Sequence, residues 1–266
     1  MAERTLLAVL AHPDDESLGL GGTFAKYAAE GVATHLVTAT LGERGRIGRE
    51  RPGAAVVGPV REQELRCASA VLGIREVHLL GYLDGELARI DAVEAAARLA
   101  AILRRVRPQV VVTFGADGAY GHPDHVAVSQ WTAAAIVEAA AAGDSPHRVD
   151  KLYWTVTTAA RWSIYEAAFG ELVTRVDGRE RRAVPWPDWA VTTVVDTRAH
   201  WQTVWRAVQC HPSQLSGYER LAAYPAEGHP ELWGVQSFYR VFSRVNVAAE
   251  RESDLFAGIP GENAPA

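Results

Sequence analysis

Residues 11–16 read Ala-His-Pro-Asp-Asp-Glu, which crowds His12, Asp14, Asp15 and Glu16 into one short turn. A second group, Gly-His-Pro-Asp-His at 121–125, supplies His122 and His125. Imidazole nitrogens and carboxylate oxygens together suit Zn2+, for which three protein ligands leave a position for water. We assign His12, Asp15 and His125 as ligands, which leaves Asp14 and His122 unligated beside them. A free carboxylate there can take the proton of an attacking water. His122 can hydrogen-bond a developing oxyanion or protonate a leaving amine. Spacing alone does not divide the roles between Asp14 and Asp15. One acid would suffice to cap a helix and meet its positive end; three acids and a histidine over-supply that role. The same donors accept Fe2+ or another divalent ion.

The elements around these groups must bring them together. Strands are expected at Thr5–Ala11, Ala33–Thr40, Glu76–Tyr82, Gln109–Gly115 and Leu152–Thr158, as near-continuous apolar runs suited to a doubly covered sheet. Helical patterns fill the gaps at Ser17–Glu30, Val60–Leu72, Ala92–Arg107 and His125–Ala142. Pro108 stops the third and Gly143 follows the fourth. This alternation predicts an α/β fold, a Rossmann-like three-layer sandwich with a mainly parallel central sheet and an elaborated C-terminal region. In the strand order 3-2-1-4-5, strands one and four are neighbours at the topological switch point, and both motifs sit at their carboxyl ends. One domain is expected over 1–247, with a Rossmann-like core at 1–158 and the elaboration at 159–247. In the latter we expect a strand at Ala190–Asp196, a helix at Arg198–Cys210 and a last strand at Gln236–Val245. Residues 248–266 read as a charged, partly disordered tail. The arginine-rich stretch Glu43–Pro59 reads as a loop, either solvated or a mobile lid.

Composition narrows the classes. The 266 residues are 48% hydrophobic, ample for a sizeable core. A net charge of −5 argues against nucleic-acid or anionic-membrane binding. No apolar stretch is long enough to span a bilayer, and no P-loop, GxSxG or HExxH motif is present. Cys67 and Cys210 form neither a disulfide framework nor an all-cysteine zinc site, so a reduced, cytoplasmic protein is expected. Its partner is expected to be a small molecule; homo-oligomerisation is left open.

The stretch Ala11–Thr23 together with Gly121–His125 resembles the LmbE-like or PIG-L family of zinc-dependent de-N-acetylases of N-acetylglucosamine derivatives and related amides. Weaker similarities follow at Thr40–Gly45, Arg61–Glu64 and Gly81–Gly85, so the likeness covers most of residues 5–130. The resemblance implies His12, Asp15 and His125 as zinc ligands, Asp14 as general base and His122 as the group stabilising the tetrahedral intermediate. It further implies Arg44 and Asp84 as contacts to substrate hydroxyls. Members acting on mycothiol precursors or conjugates typically carry Asp-Ser-Gly-Met after the third strand. This chain has Asp84-Gly85-Glu86-Leu87, which argues against that pathway. His-Pro-Ser-Gln at 211–214 resembles a C-terminal family segment.

Other readings are weaker. An amidase of the same family acting on a thiol S-conjugate is the nearest alternative. A nucleotide-binding oxidoreductase would use Gly19–Gly22, but this is no GxGxxG, and Asp14 and Asp15 would repel a pyrophosphate. The glycines serve close packing of the first helix better. A metal-binding or sugar-binding module without catalysis would not need Asp14 and His122. Seven of the eight tryptophans lie beyond residue 150; they read mostly as core, with one or two available to stack on a sugar.

Overall fold

The computed structural model describes residues 3–141, 145–171, 173–176, 178–246 and 251–260. The first half runs β1 (Thr5–Leu10), α1 (Asp15–Leu18), α2 (Gly21–Ala29), β2 (Ala33–Thr40), α3 (Ala54–Leu72) and β3 (Glu76–Tyr82). It continues with α4 (Ala92–Val106), β4 (Val110–Phe114), the kinked turn α5 (Gly118–Gly121), α6 (Pro123–Ala140) and β5 (Lys151–Val156). The later half adds α7 (Ala159–Phe169), β6 (Val173–Val176), β7 (Arg179–Arg182), β8 (Thr193–Asp196) and α8 (Trp201–Gln209). Three short helices, α9 (Pro212–Leu215), α10 (Glu219–Ala222) and α11 (His229–Trp233), precede β9 (Val235–Ser243).

Seven strands form one sheet in the order β3-β2-β1-β4-β5-β9-β8. The first five are parallel, as their apolar runs and helical crossovers require, and β9 runs antiparallel between β5 and β8. Strands β1, β2 and β4 are buried throughout, so both faces are covered. Helices α4 and α6 pack together on one side, while α2, α3 and α8 pack with one another on the other. The sandwich is therefore three-layered and α/β, with β9 and β8 carrying the later half into the same sheet. Gly21 and Gly22 let α2 approach closely: a Cβ there would meet Val204 at 2.9 Å and Thr197 Oγ1 at 2.5 Å.

Four expectations need correction. Helix α3 begins at Ala54, inside the stretch read as a loop, because Val57 is buried and anchors its first turns. Pro59 lies within it and costs one backbone donor. The packing of α3 on α8 joins Cys67 and Cys210 in a disulfide with a Cα–Cα distance of 5.7 Å, where reduced thiols were expected. The expected tail is packed along 251–260. Leu255 and Phe256 are buried, and Glu252 accepts from Lys151 Nζ at 2.6 Å, Tyr153 Oη at 2.8 Å and Thr193 Oγ1 at 2.8 Å. The β6–β7 hairpin, mostly exposed and arginine-rich, has no counterpart in the sequence reading. Gly143 lies outside the described residues. Among the described residues no helix is long and apolar enough to cross a membrane.

Candidate metal and active site

The two motifs converge at the carboxyl ends of β1 and β4, which are adjacent in the sheet. Donor atoms of His12, Asp15 and His125 lie within 4.8 Å of one another. Asp15 is central: Oδ2 is 3.6 Å from His12 Nδ1, and Oδ1 is 3.6 Å from His125 Nε2. Its carboxylate also accepts the His12 backbone N–H at 2.8 Å, which ties its orientation to the turn. His125 is buried from α6 and stacks on Phe114 at 3.8 Å between ring centroids. Neither of its ring nitrogens has a hydrogen-bond partner among the described residues. Burial drives its pKa down to about 3, so it offers an unprotonated lone pair.

His12 Nε2 lies 3.2 Å from both Asp124 Oδ2 and Asp84 Oδ1. A proton held at Nε2 by these carboxylates leaves Nδ1 free as a ligand, the usual way a second residue orients a metal-binding imidazole. Burial opposes charge on His12, but hydrogen bonds with Asp124, Asp15 and Asp84 outweigh it and raise its pKa well above the ordinary value, so a cation binding at Nδ1 would displace a proton there. Asp124 is buried and accepts from the backbone N–H groups of Gly85 at 2.7 Å and Leu87 at 3.2 Å. Burial likewise opposes ionisation of Asp15, yet His125 and His12 hold its pKa well below the carboxylate range. Unpartnered imidazole nitrogen, ionised carboxylate and a surplus of negative charge fit a divalent cation. No ligand atom needs to be recruited from elsewhere.

Asp14 is set apart from this trio. Its backbone adopts φ 107°, a left-handed conformation that costs a non-glycine residue about 1–3 kcal/mol. Its N–H is held by Glu16 Oε2 at 2.9 Å, and buried Arg61 bonds both the Pro13 carbonyl and Asp14 Oδ2, the latter at 3.0 Å. Burial lifts the Asp14 pKa to about 6 against the opposing pull of Arg61. Glu16 in turn accepts from His211 Nε2 at 2.7 Å and Ser17 Oγ at 2.6 Å. Ser213 donates its N–H and Oγ to Glu64 at 2.8 and 2.6 Å, so 211–214 docks onto both 16 and 64.

His122 caps α6, its Nδ1 accepting the Asp124 N–H at 3.2 Å, and burial lowers its pKa. It lines a cleft of about 310 Å³ together with His12, Asp14, Asp15, Asp84 and His125. Trp162, Tyr165, Phe169 and Tyr218 from the later half supply an aromatic side of that cleft. Of the late tryptophans only Trp162 is among its lining residues. Arg44 is not: its half-exposed guanidinium pairs with Glu86, and only its backbone N–H reaches Asp84, at 3.1 Å.

The sequence reading thus identified six residues that share the cleft; it also expected Arg44 to contact substrate, and Arg44 is not among the lining residues. It gave no role to Asp124, although that residue lies between the two assigned histidines. Arg61 and Glu64 lay inside a weaker family match without a stated role. Nothing in the local pattern marks Tyr218 or Tyr165.

A curated relative from Rhodococcus jostii (strain RHA1), named 1D-myo-inositol 2-acetamido-2-deoxy-alpha-D-glucopyranoside deacetylase, is 39% identical and aligns over 97% of this chain and 99% of its own. Among solved structures, N,N'-diacetylchitobiose deacetylase from Pyrococcus horikoshii superposes with a TM-score of 0.64 at 17% identity, over 90% of this chain and 84% of that one. GalB, the 4-carboxy-2-hydroxymuconate hydratase of Pseudomonas putida KT2440, superposes with a TM-score of 0.70 at 22% identity, covering 92% and 99%. A deacetylase and a hydratase on one fold show that the fold does not choose the reaction. Residues 7–136 match the family model described as PIG-L: GlcNAc-PI de-N-acetylase. With that match spanning both motifs and the Rhodococcus relative aligned end to end, the chain belongs to the PIG-L family.

Proposed function

We propose that the protein is a metal-dependent hydrolase that removes the N-acetyl group from an N-acetylglucosamine derivative. The observation that carries this reading is His125: a buried imidazole with both nitrogens unpartnered among the described residues, facing the ionised carboxylate of Asp15. His12, Asp15 and His125 would hold the ion. Zn2+ suits two nitrogens and one oxygen, and Fe2+ is the nearest competitor. When bound, such an ion acidifies water and polarises an amide carbonyl.

The chain's own residues do the rest. Asp14, not committed to the ligand set, accepts the proton of the attacking water. A pKa near 6 keeps it ionised at neutral pH yet more basic than an ordinary aspartate. Arg61 and the Glu16 bond to its N–H hold the carboxylate in place, so little reorganisation is needed. His122 accepts a backbone N–H at Nδ1, which leaves the Nε2 proton for the oxygen that gains charge, or for the departing amine. Asp84 presents an acceptor to substrate hydroxyls, and the aromatic side suits the C–H faces of a sugar.

The relatives aligned over nearly all of this chain name a glucosaminide of inositol, and we put that substrate first, against the expectation drawn from the turn after β3. The turn Asp84-Gly85-Glu86-Leu87 differs from the Asp-Ser-Gly-Met of family members acting on mycothiol precursors. Its Gly85 and Leu87 N–H groups fix Asp124, so its sequence serves the His12 partner as well as the substrate. The test is release of a primary amine from N-acetylglucosaminyl-inositol and from N-acetylglucosamine itself, with protein stripped by a chelator and then reloaded with Zn2+. Activity should vanish on stripping and return with metal. Unchanged turnover in metal-free protein would overturn the reading.

A further inference from the structure

A second set of donors lies at the opposite end of the sheet from the cleft. His35 near the start of β2 and Glu76 and His78 at the start of β3 share one sheet face, since His35 pairs with Glu76 and side chains alternate along a strand. His35 is five residues short of the carboxyl end of β2, roughly 17 Å at about 3.3 Å per residue. This group is therefore separate from the catalytic rim.

The two imidazole rings are parallel, 2° apart in orientation, with centroids at 5.8 Å. The Glu76 carboxylate reaches both: Oε2 is 3.7 Å from His35 Nδ1, and Oε1 is 3.4 Å from His78 Nδ1. One donor atom from each residue falls within 4.8 Å of the other two. Tetrahedral zinc with bonds of about 2.0–2.1 Å sets its ligand atoms about 3.4 Å apart. Small side-chain adjustments would meet that spacing. His35 Nδ1, the atom nearest Glu76, is buried without a hydrogen-bond partner among the described residues, an arrangement that sheet packing alone does not call for. Burial lowers the pKa of both histidines, so their lone pairs are available at neutral pH.

Arg105 supplies the remaining observation. Its Nη2 is 2.7 Å from His78 Nδ1 and 3.7 Å from Glu76 Oε1, so a positive charge already stands beside the candidate donors. Its side chain is 62% exposed and can swing into solvent. Glu76 is also half exposed, which gives an ion a way in.

The geometry points to a second divalent-metal site, formed by His35, Glu76 and His78, that takes a nitrogen-preferring transition ion such as Zn2+ or Ni2+ in competition with the Arg105 guanidinium. It does not depend on the proposed hydrolysis. The test is Zn2+ titration of chelator-stripped full-length protein, followed by desalting and elemental analysis. Wild type should bind about two ions per chain, and Glu76→Ala or His78→Asn about one. Asp15→Ala should also bind about one ion, lost when His78→Asn is added. Removing the competing charge in Arg105→Ala should tighten the weaker site by about tenfold or more. Glu76 is exposed enough that its replacement does not threaten the fold. Equal stoichiometry in wild type and Glu76→Ala would overturn the proposal. An Asp15→Ala variant that loses no metal would count instead against the catalytic site.

Discussion

The two halves of the chain contribute differently to the cleft. The first half carries the proposed ligands, base and acid, on the turns and helix starts that follow parallel strands β1 and β4. The second half supplies a buried His211 behind Glu16, an aromatic side of the cleft, and the antiparallel β9 and β8. Reacting groups need sub-ångström placement, and strand ends anchored in a doubly covered sheet provide it. Walls and supports tolerate looser construction, and here they come from α7 and the segments around α9 and α10. The proposed chemistry is thus concentrated in about half of the sequence, while both halves line the cleft and the later one adds Trp162, Tyr165, Phe169 and Tyr218.

That division can be attacked from the second half first. Glu252→Gln removes the negative charge paired with fully buried Lys151, and leaving such a charge unpaired costs about 3–5 kcal/mol. Chemical denaturation should show the loss, with residual folded protein keeping its metal. The pair also sets a pH limit. Burial opposes ionisation of Glu252, but bonds from Lys151, Thr193 and Tyr153 leave its folded pKa below the ordinary value. Its stabilisation is therefore complete above the unfolded pKa of about 4.3 and is lost as pH falls through the lower folded value. Wild type should destabilise in that acid window more steeply than the variant does.

A smaller effect is expected where the halves meet. His211→Ala removes the partner of Glu16 and loosens the turn that holds Asp14. Turnover should fall about 10–100-fold, as for outer-shell partners, with KM and metal content little changed. Trp162→Ala should do the reverse, raising KM about 3–10-fold for the sugar substrate at near-normal kcat, since one aromatic contact is worth about 0.5–1.5 kcal/mol. A large drop in kcat there would blur the division between the halves. Smallest of all, Arg44→Ala breaks only an exposed pair with Glu86 and should change kcat/KM less than about threefold. A larger loss would return Arg44 to the substrate contacts that the family resemblance implies.

Legibility followed the same line. Strands β2 and β3 run over the expected residues, and β1, β4 and β5 differ by a residue or two at their ends; β1, β2 and β4 are buried throughout, which the sequence writes as mostly apolar runs. His12, Asp15 and His125 were readable because donors clustered at two strand ends are rare without a ligand. The start of α3 was hidden by Gly53 and Pro59, which look like loop residues unless Val57 is known to be buried. The docking of 251–260 and the Cys67–Cys210 bridge depend on contacts across 101 and 143 residues, and no local pattern records those. Arg61 and His211 fell within family-like segments, but their roles were hidden for the same reason: their partners Asp14 and Glu16 lie far away in the chain.

The central claim is that the two adjacent aspartates do different work, Asp15 holding metal and Asp14 moving a proton. The most direct test replaces each in turn and measures bound metal and amine release on the same preparations. Asp14→Asn is nearly isosteric and a far weaker base, so it should keep about one ion at the catalytic site and lose about 10²–10⁴-fold in turnover. Asp15→Ala should lose that ion together with the activity. Near-normal turnover in metal-loaded Asp14→Asn, or loss of its metal, would contradict the account.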